Sequence, residues 1–108
     1  MSLKIGNEAE DKASSYLQKE GYAILERNFH SKFGEIDIIA KKENVLHFCE
    51  VKFSQNYDPI TRITSSKMNK IIKTINYYLL THAHSCDYQI DAILVTPENI
   101  EIIKNISY

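Results

Sequence analysis

The sequence predicts an α/β fold in the order α-β-β-β-α-β-β, with helices flanking a mixed β-sheet. Two segments carry apolar residues at helical spacing, and five short runs are rich in β-branched and aromatic residues. No repeat, low-complexity tract or linker interrupts them. With 44% hydrophobic and 25% charged residues, three glycines and two prolines in 108 residues, the composition is that of one globular domain and excludes fibrous or disordered classes.

A first helix is expected over residues 2–20, where Ile5, Ala9, Ala13, Tyr16 and Leu17 recur at helical spacing and Gly21 supplies a stop. A strand follows over residues 22–28, then a loop over 28–34 carrying His30 and Lys32. Runs 35–42 and 45–53 are separated only by Glu43 and Asn44, the length of a tight hairpin turn. A loop over 54–61, with Asn56, Asp58 and Pro59, leads to a second helix in which Met68, Ile71, Ile72, Ile75 and Leu79 form the apolar stripe. Thr64 or Ser65 is its N-cap. A strand over 88–96, a turn over 97–99 and an edge strand over 100–106 complete the order.

No apolar run approaches the roughly 20 residues needed to span a bilayer, and the amino-terminal residues do not read as a secretory signal, so no membrane partner and a cytoplasmic location are expected. Cys49 and Cys86 are too few for a disulfide framework and are expected as free thiols. Net charge is −1, which disfavours bulk electrostatic coating of nucleic acid. Between Lys41 and Lys73, however, seven basic residues face three acidic ones, a local excess of four.

The hairpin carries the chemistry. If Lys42 pairs with Val45 across the turn, Asp37 faces Glu50 and Glu35 faces Lys52. Alternation then projects these four ionisable side chains from one face, with Ile36, Ile38, Cys49 and Val51 on the other. Farther along the charged face Ile39 opposes Phe48, the pattern of a core that turns polar at one end. Two opposed carboxylates repel unless a proton or cation sits between them. A divalent ion, Mg²⁺ or Mn²⁺, resolves the conflict, and with Lys52 beside it the set suits phosphodiester hydrolysis. The plain alternative is a cross-strand Glu35–Lys52 ion pair with Asp37 and Glu50 facing solvent.

Glu35-Ile36-Asp37, followed after a short interval by Glu50-Val51-Lys52, resembles the D…(D/E)-x-K signature of the restriction-endonuclease-like, or PD-(D/E)XK, nucleases. A longer match runs through Gly6, Glu10, Ala13, Tyr16, Leu17, Gly21, Tyr22, Ile24, Leu25, Arg27, Asn28, Gly34 to Asp37, Ile39-Ala40 and Phe48 to Lys52, then more loosely through Lys67, Tyr78, Leu79 and Asp91. Together these residues resemble the bacterial YraN family. The resemblance implies a restriction-endonuclease-like three-layer fold, kinship with archaeal Holliday-junction resolvases, DNA as partner and a homodimer. It also implies a metal site in which Glu10 of the first helix joins Asp37 and Glu50, with Lys52 as the catalytic lysine. Ala9, His30 and Ser54 depart from the family's usual glycine, basic residue and arginine.

By helical arithmetic Glu10 lies at the border of the first helix's apolar stripe, within reach of a cleft edge. Lys67, Lys70 and Lys73 recur every three residues on the second helix, either as a solvated face or, beside a cleft, as phosphate contacts without sequence preference. His82, His84 and Cys86 lack the paired spacing of a zinc module, and His47 reads as a packed strand residue. Tyr77 and Tyr78 read as core or helix-surface aromatics. The expected function is a metal-dependent nuclease acting on DNA, including branched DNA. The alternatives are a non-catalytic nucleic-acid-binding module on the same fold and a protein-interaction subunit.

Overall fold

The computed structural model describes residues 3–55, 64–82 and 86–106, with side chains from Asn7 onward. Helix α1 (Leu3–Lys19) precedes strands β1 (Ala23–Ser31), β2 (Gly34–Lys42) and β3 (Val45–Phe53). Helix α2 (Ser65–His82) then leads to β4 (Asp87–Val95) and β5 (Ile100–Ile103). The five strands form one sheet in the order β1-β2-β3-β4-β5. Only β3 and β4 run parallel, and α2 is the crossover between them; the other neighbours are antiparallel.

Each helix covers one face. Ala9, Ala13 and Leu17 of α1, at four-residue spacing, pack with Tyr22 on Ile38, Ala40, Cys49, Ile93 and Val95. Met68, Ile71, Ile75 and Tyr78 of α2 pack on Ile36, Ile39, Leu46, Phe48 and Ile90. Three layers follow from two stripes and a sheet buried on both sides, each large apolar side chain contributing roughly 1.5–3 kcal/mol. The α2 stripe differs from the expected one at Ile72, which is 37% exposed, while Tyr78 is 2% exposed. Tyr78 fills the core by packing edge-on against Phe29 and Phe48, a larger apolar area than Ile72 offers. Tyr77 lies on the surface.

Helix α1 ends as its sequence requires. Gly21 adopts φ +91°, its N–H donates to the Gln18 carbonyl at 3.1 Å, and the Tyr22 N–H donates to the Leu17 carbonyl at 2.9 Å. This pair of bonds is a Schellman cap, which directs Tyr22 back onto the core.

The first strand is longer than expected: residues 28–31 continue β1 to a two-residue turn at Lys32 and Phe33. Asn28 accommodates φ 53° within the strand, a conformation asparagine tolerates, so the expected loop does not form. Leu25 is an extra residue, since Ile24 pairs with Ala40 and Glu26 with Ile39. The β2–β3 register is the expected one, with Lys42 opposite Val45 and Ile38 opposite Cys49, and Glu43 and Asn44 both at positive φ. Most of the expected 54–61 loop lies outside the described residues. The last strand stops at Ile103, because Asn105 turns to φ 57° and its N–H donates to Asp91 Oδ1 at 2.9 Å.

Candidate functional site

Strands β2 and β3 part where the acidic residues begin. Their pairing ends at Ile38–Cys49, although β2 continues beside β1 to Gly34 and β3 beside β4 to Phe53. The side-chain alternation of β2 breaks at the same place: Ile36 joins the α2 cluster, Ile38 the α1 cluster. This corrects the expectation that both residues share a face. In the gap, Asp37 replaces the missing backbone partner, its Oδ2 accepting a hydrogen bond from the Val51 N–H at 2.8 Å.

The gap opens into a cleft of about 610 Å³, lined by Glu10 of α1, Asp37 and Glu35 of β2, Glu50 of β3, and Thr64, Lys67 and Lys70 at the start of α2. Because the sheet forks here, an acid from the helix on one face and a lysine from the helix on the other reach the same space. Thr64 caps α2, its Oγ1 accepting from the Lys67 N–H at 3.1 Å. The hairpin is pinned to α2 by Ser31 Oγ and Thr74 Oγ1, 3.2 Å apart. Gly34 takes φ +156°, which L side chains rarely adopt; a Cβ there would meet Thr74 Oγ1 at 3.5 Å and Lys70 Cβ at 3.6 Å, ordinary contact distances, so the backbone conformation is what calls for glycine.

The acids are unequal. Glu50 is 5% exposed, and its Oε2 lies 2.7 Å from Lys67 Nζ. Burial, then the charge of Glu50, and more weakly that of Glu10, push the Asp37 carboxyl up to about 7, against the lowering effect of the Val51 N–H. Asp37 therefore parts with its proton far less readily than an ordinary carboxyl. The hydrogen bond to Glu50 raises Lys67 above the usual lysine range, opposed by partial burial.

Glu10 Oε1 is buried without a hydrogen-bond partner. The Arg27 guanidinium approaches it only to 3.8 Å, because its hydrogen bond goes to Asp11 at 2.8 Å. The cleft thus gathers three carboxyl groups, one of them with a buried oxygen that lacks a hydrogen bond, and a donor set of carboxylate oxygen fits Mg²⁺ or Mn²⁺. Among the described residues, no three His, Cys, Asp or Glu side chains are gathered closely enough to form a metal centre as they stand.

Other expected site residues lie elsewhere. Glu35 pairs with His30 at 3.1 Å, so the Glu35–Lys52 ion pair does not form. Lys52 is half-buried on β3 and outside the cleft lining, and Lys73 is exposed on α2. His84 lies outside the described residues. His82 stacks on Tyr78 and lies 3.6 Å from Glu26. His47, opposite Ala40 as expected, is buried with its Nδ1 2.7 Å from Asp91 Oδ2.

The Lys67–Glu50 contact went unforeseen, yet the sequence carries a signal for it. A lysine in the first turn of a helix, where no acidic residue stands, opposes the macrodipole and calls for an anionic partner from elsewhere.

The signature of the Uncharacterised protein family UPF0102 matches residues 9–95. The chain belongs to this family. UPF0102 is the YraN family of the sequence resemblance. A UPF0102 protein of Campylobacter fetus is 52% identical over 112 residues, covering 100% of both chains. Another, from Campylobacter jejuni, is 54% identical over 100 residues, covering 92% of this chain and 89% of the relative. Among solved structures, Hjc of Archaeoglobus fulgidus, a Holliday junction resolvase, superposes with a TM-score of 0.63 at 15% identity, covering 91% of this chain and 75% of that one. The UPF0102 chain therefore shares the fold of that structure, with which its α-β-β-β-α-β-β order and mixed sheet agree. No helix among the described residues is long and apolar enough to cross a membrane.

Proposed function

We propose that this UPF0102 protein is a metal-dependent nuclease acting on DNA, with Asp37, Glu50 and Glu10 as the metal-holding acids. The observation that carries the reading is the buried Asp37–Glu50 pair beside a Glu10 Oε1 that lacks a hydrogen bond, in one cleft. The fold shared with a Holliday junction resolvase supports it and favours branched DNA as substrate.

Phosphodiester hydrolysis adds a water oxygen to phosphorus and passes a proton to the leaving oxygen. When bound, Mg²⁺ or Mn²⁺ supplies Lewis-acid polarisation of the phosphate and a water of lowered pKa. The protein's own groups do the rest. Asp37 and Glu50 are held by the forked sheet, and Asp37 is oriented by the Val51 N–H. By strand alternation Lys52 shares a sheet face with Glu50; its assigned role is to offset charge at the attacked phosphate. Lys70 and Lys73, with the capped start of α2, are assigned to the phosphate backbone, which gives affinity without sequence reading.

Incubation with Mg²⁺ or Mn²⁺ and single-stranded, duplex, flapped and four-way DNA tests this reading. Cleavage of at least one substrate, lost in Asp37→Asn, is expected; all four remaining intact at high protein concentration would refute it. One observation favours a second reading, a non-catalytic nucleic-acid-binding module: Lys52 stands outside the cleft lining. Salt-sensitive DNA binding without cleavage would support that reading.

A further inference from the structure

The cation facing the acid pair belongs to the protein itself. Lys67 Nζ lies 2.7 Å from Glu50 Oε2; the lysine side chain is 48% exposed, the glutamate side chain 7%. The ammonium therefore reaches inward from the rim to a carboxylate that water scarcely reaches.

Its place in α2 is costly for a cation. Lys67 is the third residue of the helix, its N–H bonded to the Thr64 cap, where the positive end of the macrodipole favours acidic residues. Glu50 and, more distantly, Asp37 and Glu35 offset that cost by their charges. Lys70, one turn on, lines the same cleft, but its Cβ lies against Gly34. Only Lys67 among the described lysines is ion-paired to one of the cleft acids.

A divalent ion held by Asp37 and Glu50 needs the Glu50 carboxylate that Lys67 occupies, and two cations on one buried carboxylate repel. We propose that Lys67 is the resident counter-ion of the cleft, occupying Glu50 in the metal-free protein and competing directly with a divalent cation for that carboxylate. This rests on the metal-site reading above. The same contact gives the metal-free cleft its charge balance and sets the threshold of divalent cation at which the site fills.

Calorimetric titration of Mn²⁺ into wild type, Lys67→Gln and Lys70→Gln, at one pH and salt concentration, tests the competition. Removing the competing ammonium should tighten Mn²⁺ binding about tenfold, whereas Lys70→Gln, which removes the same charge without touching Glu50, should change it by no more than about twofold. Binding by Lys67→Gln alone would also support the proposal. Equal affinities in Lys67→Gln and Lys70→Gln, or weaker binding by Lys67→Gln, would overturn the competition while leaving the metal site standing. Absence of binding in all three proteins would overturn both. A measurement on the unmodified protein serves if Lys67→Gln does not fold. On Mg²⁺ saturation, the Lys67 Cε–Hε NMR signal should move toward those of exposed lysines while that of Lys70 stays; an unmoved Lys67 signal would overturn the proposal.

Discussion

Replacing Asp37 by asparagine should stabilise the metal-free protein above neutral pH. The Asp37 carboxyl has an ordinary value of 3.8 and is pushed up to about 7 in the fold. Between these values the folded protein keeps a proton that the unfolded chain has lost. The stability this group contributes is therefore complete below about pH 4, declines by about 1.4 kcal/mol per pH unit, and is gone once pH has risen through about 7. Three units correspond to about 4 kcal/mol, an upper figure because Asp37 and Glu50 titrate together. Asparagine keeps an oxygen for the Val51 N–H and carries no charge against Glu50 and Glu10. Urea unfolding followed by circular dichroism at pH 5 and pH 8, with a chelator present, should show wild type losing stability with pH and Asp37→Asn losing much less. Half of the full effect would raise the variant's relative Tm at pH 8 by about 10 °C. Equal pH dependence in the two proteins, or a less stable Asp37→Asn at pH 8, would refute the argument that burial and Glu50 hold a proton on Asp37.

Three further outcomes follow from contacts around the cleft and the core. Glu10→Ala removes a buried oxygen that makes no hydrogen bond and only a long ion pair with Arg27, so it should leave Tm nearly unchanged while weakening Mn²⁺ binding about tenfold, as for loss of one carboxylate from a hard-cation site. Asp91→Ala should cost about 3–5 kcal/mol in urea unfolding, because the buried carboxylate accepts from Gln89 Nε2 and the Asn105 N–H at 2.9 Å and pairs with His47. Gly34→Ala should cost about 1–3 kcal/mol and show it as a lowered Tm, since alanine is strained at φ +156°.

The fold was largely legible because its elements rest on local rules. The two-residue gap at Glu43 and Asn44 set the β2–β3 register, and four-residue spacing of Ala9, Ala13 and Leu17 marked the buried face of α1. Thr64, expected with Ser65 as a cap for α2, takes that role. Asp37 and Glu50 stood out where an apolar hairpin face turns charged, Glu10 entered through the family resemblance, and the cleft gathers all three in its lining.

The rest depended on tertiary geometry that no spacing rule encodes. Strict alternation put Ile36 and Ile38 on one face, but the sheet forks at Asp37, and that break also keeps Glu35 from Lys52. The choice of Tyr78 over Ile72 for the core reflects the space left by Phe29 and Phe48, two strands distant in sequence. Lys67 was read as either a solvated or a phosphate-contacting lysine and not as the partner of Glu50, because their contact joins the start of α2 to a strand seventeen positions earlier. The His47–Asp91 pair, spanning 44 positions, likewise has no local signature.

The most direct measurement is calorimetric titration of Mn²⁺ into wild type, Asp37→Ala and Glu50→Ala, with the fold of each checked by circular dichroism. Binding by wild type that is lost in both folded variants is the predicted result. A wild type that takes up no Mn²⁺, or variants that bind as well as it does, would contradict the assignment of these carboxylates to a metal site.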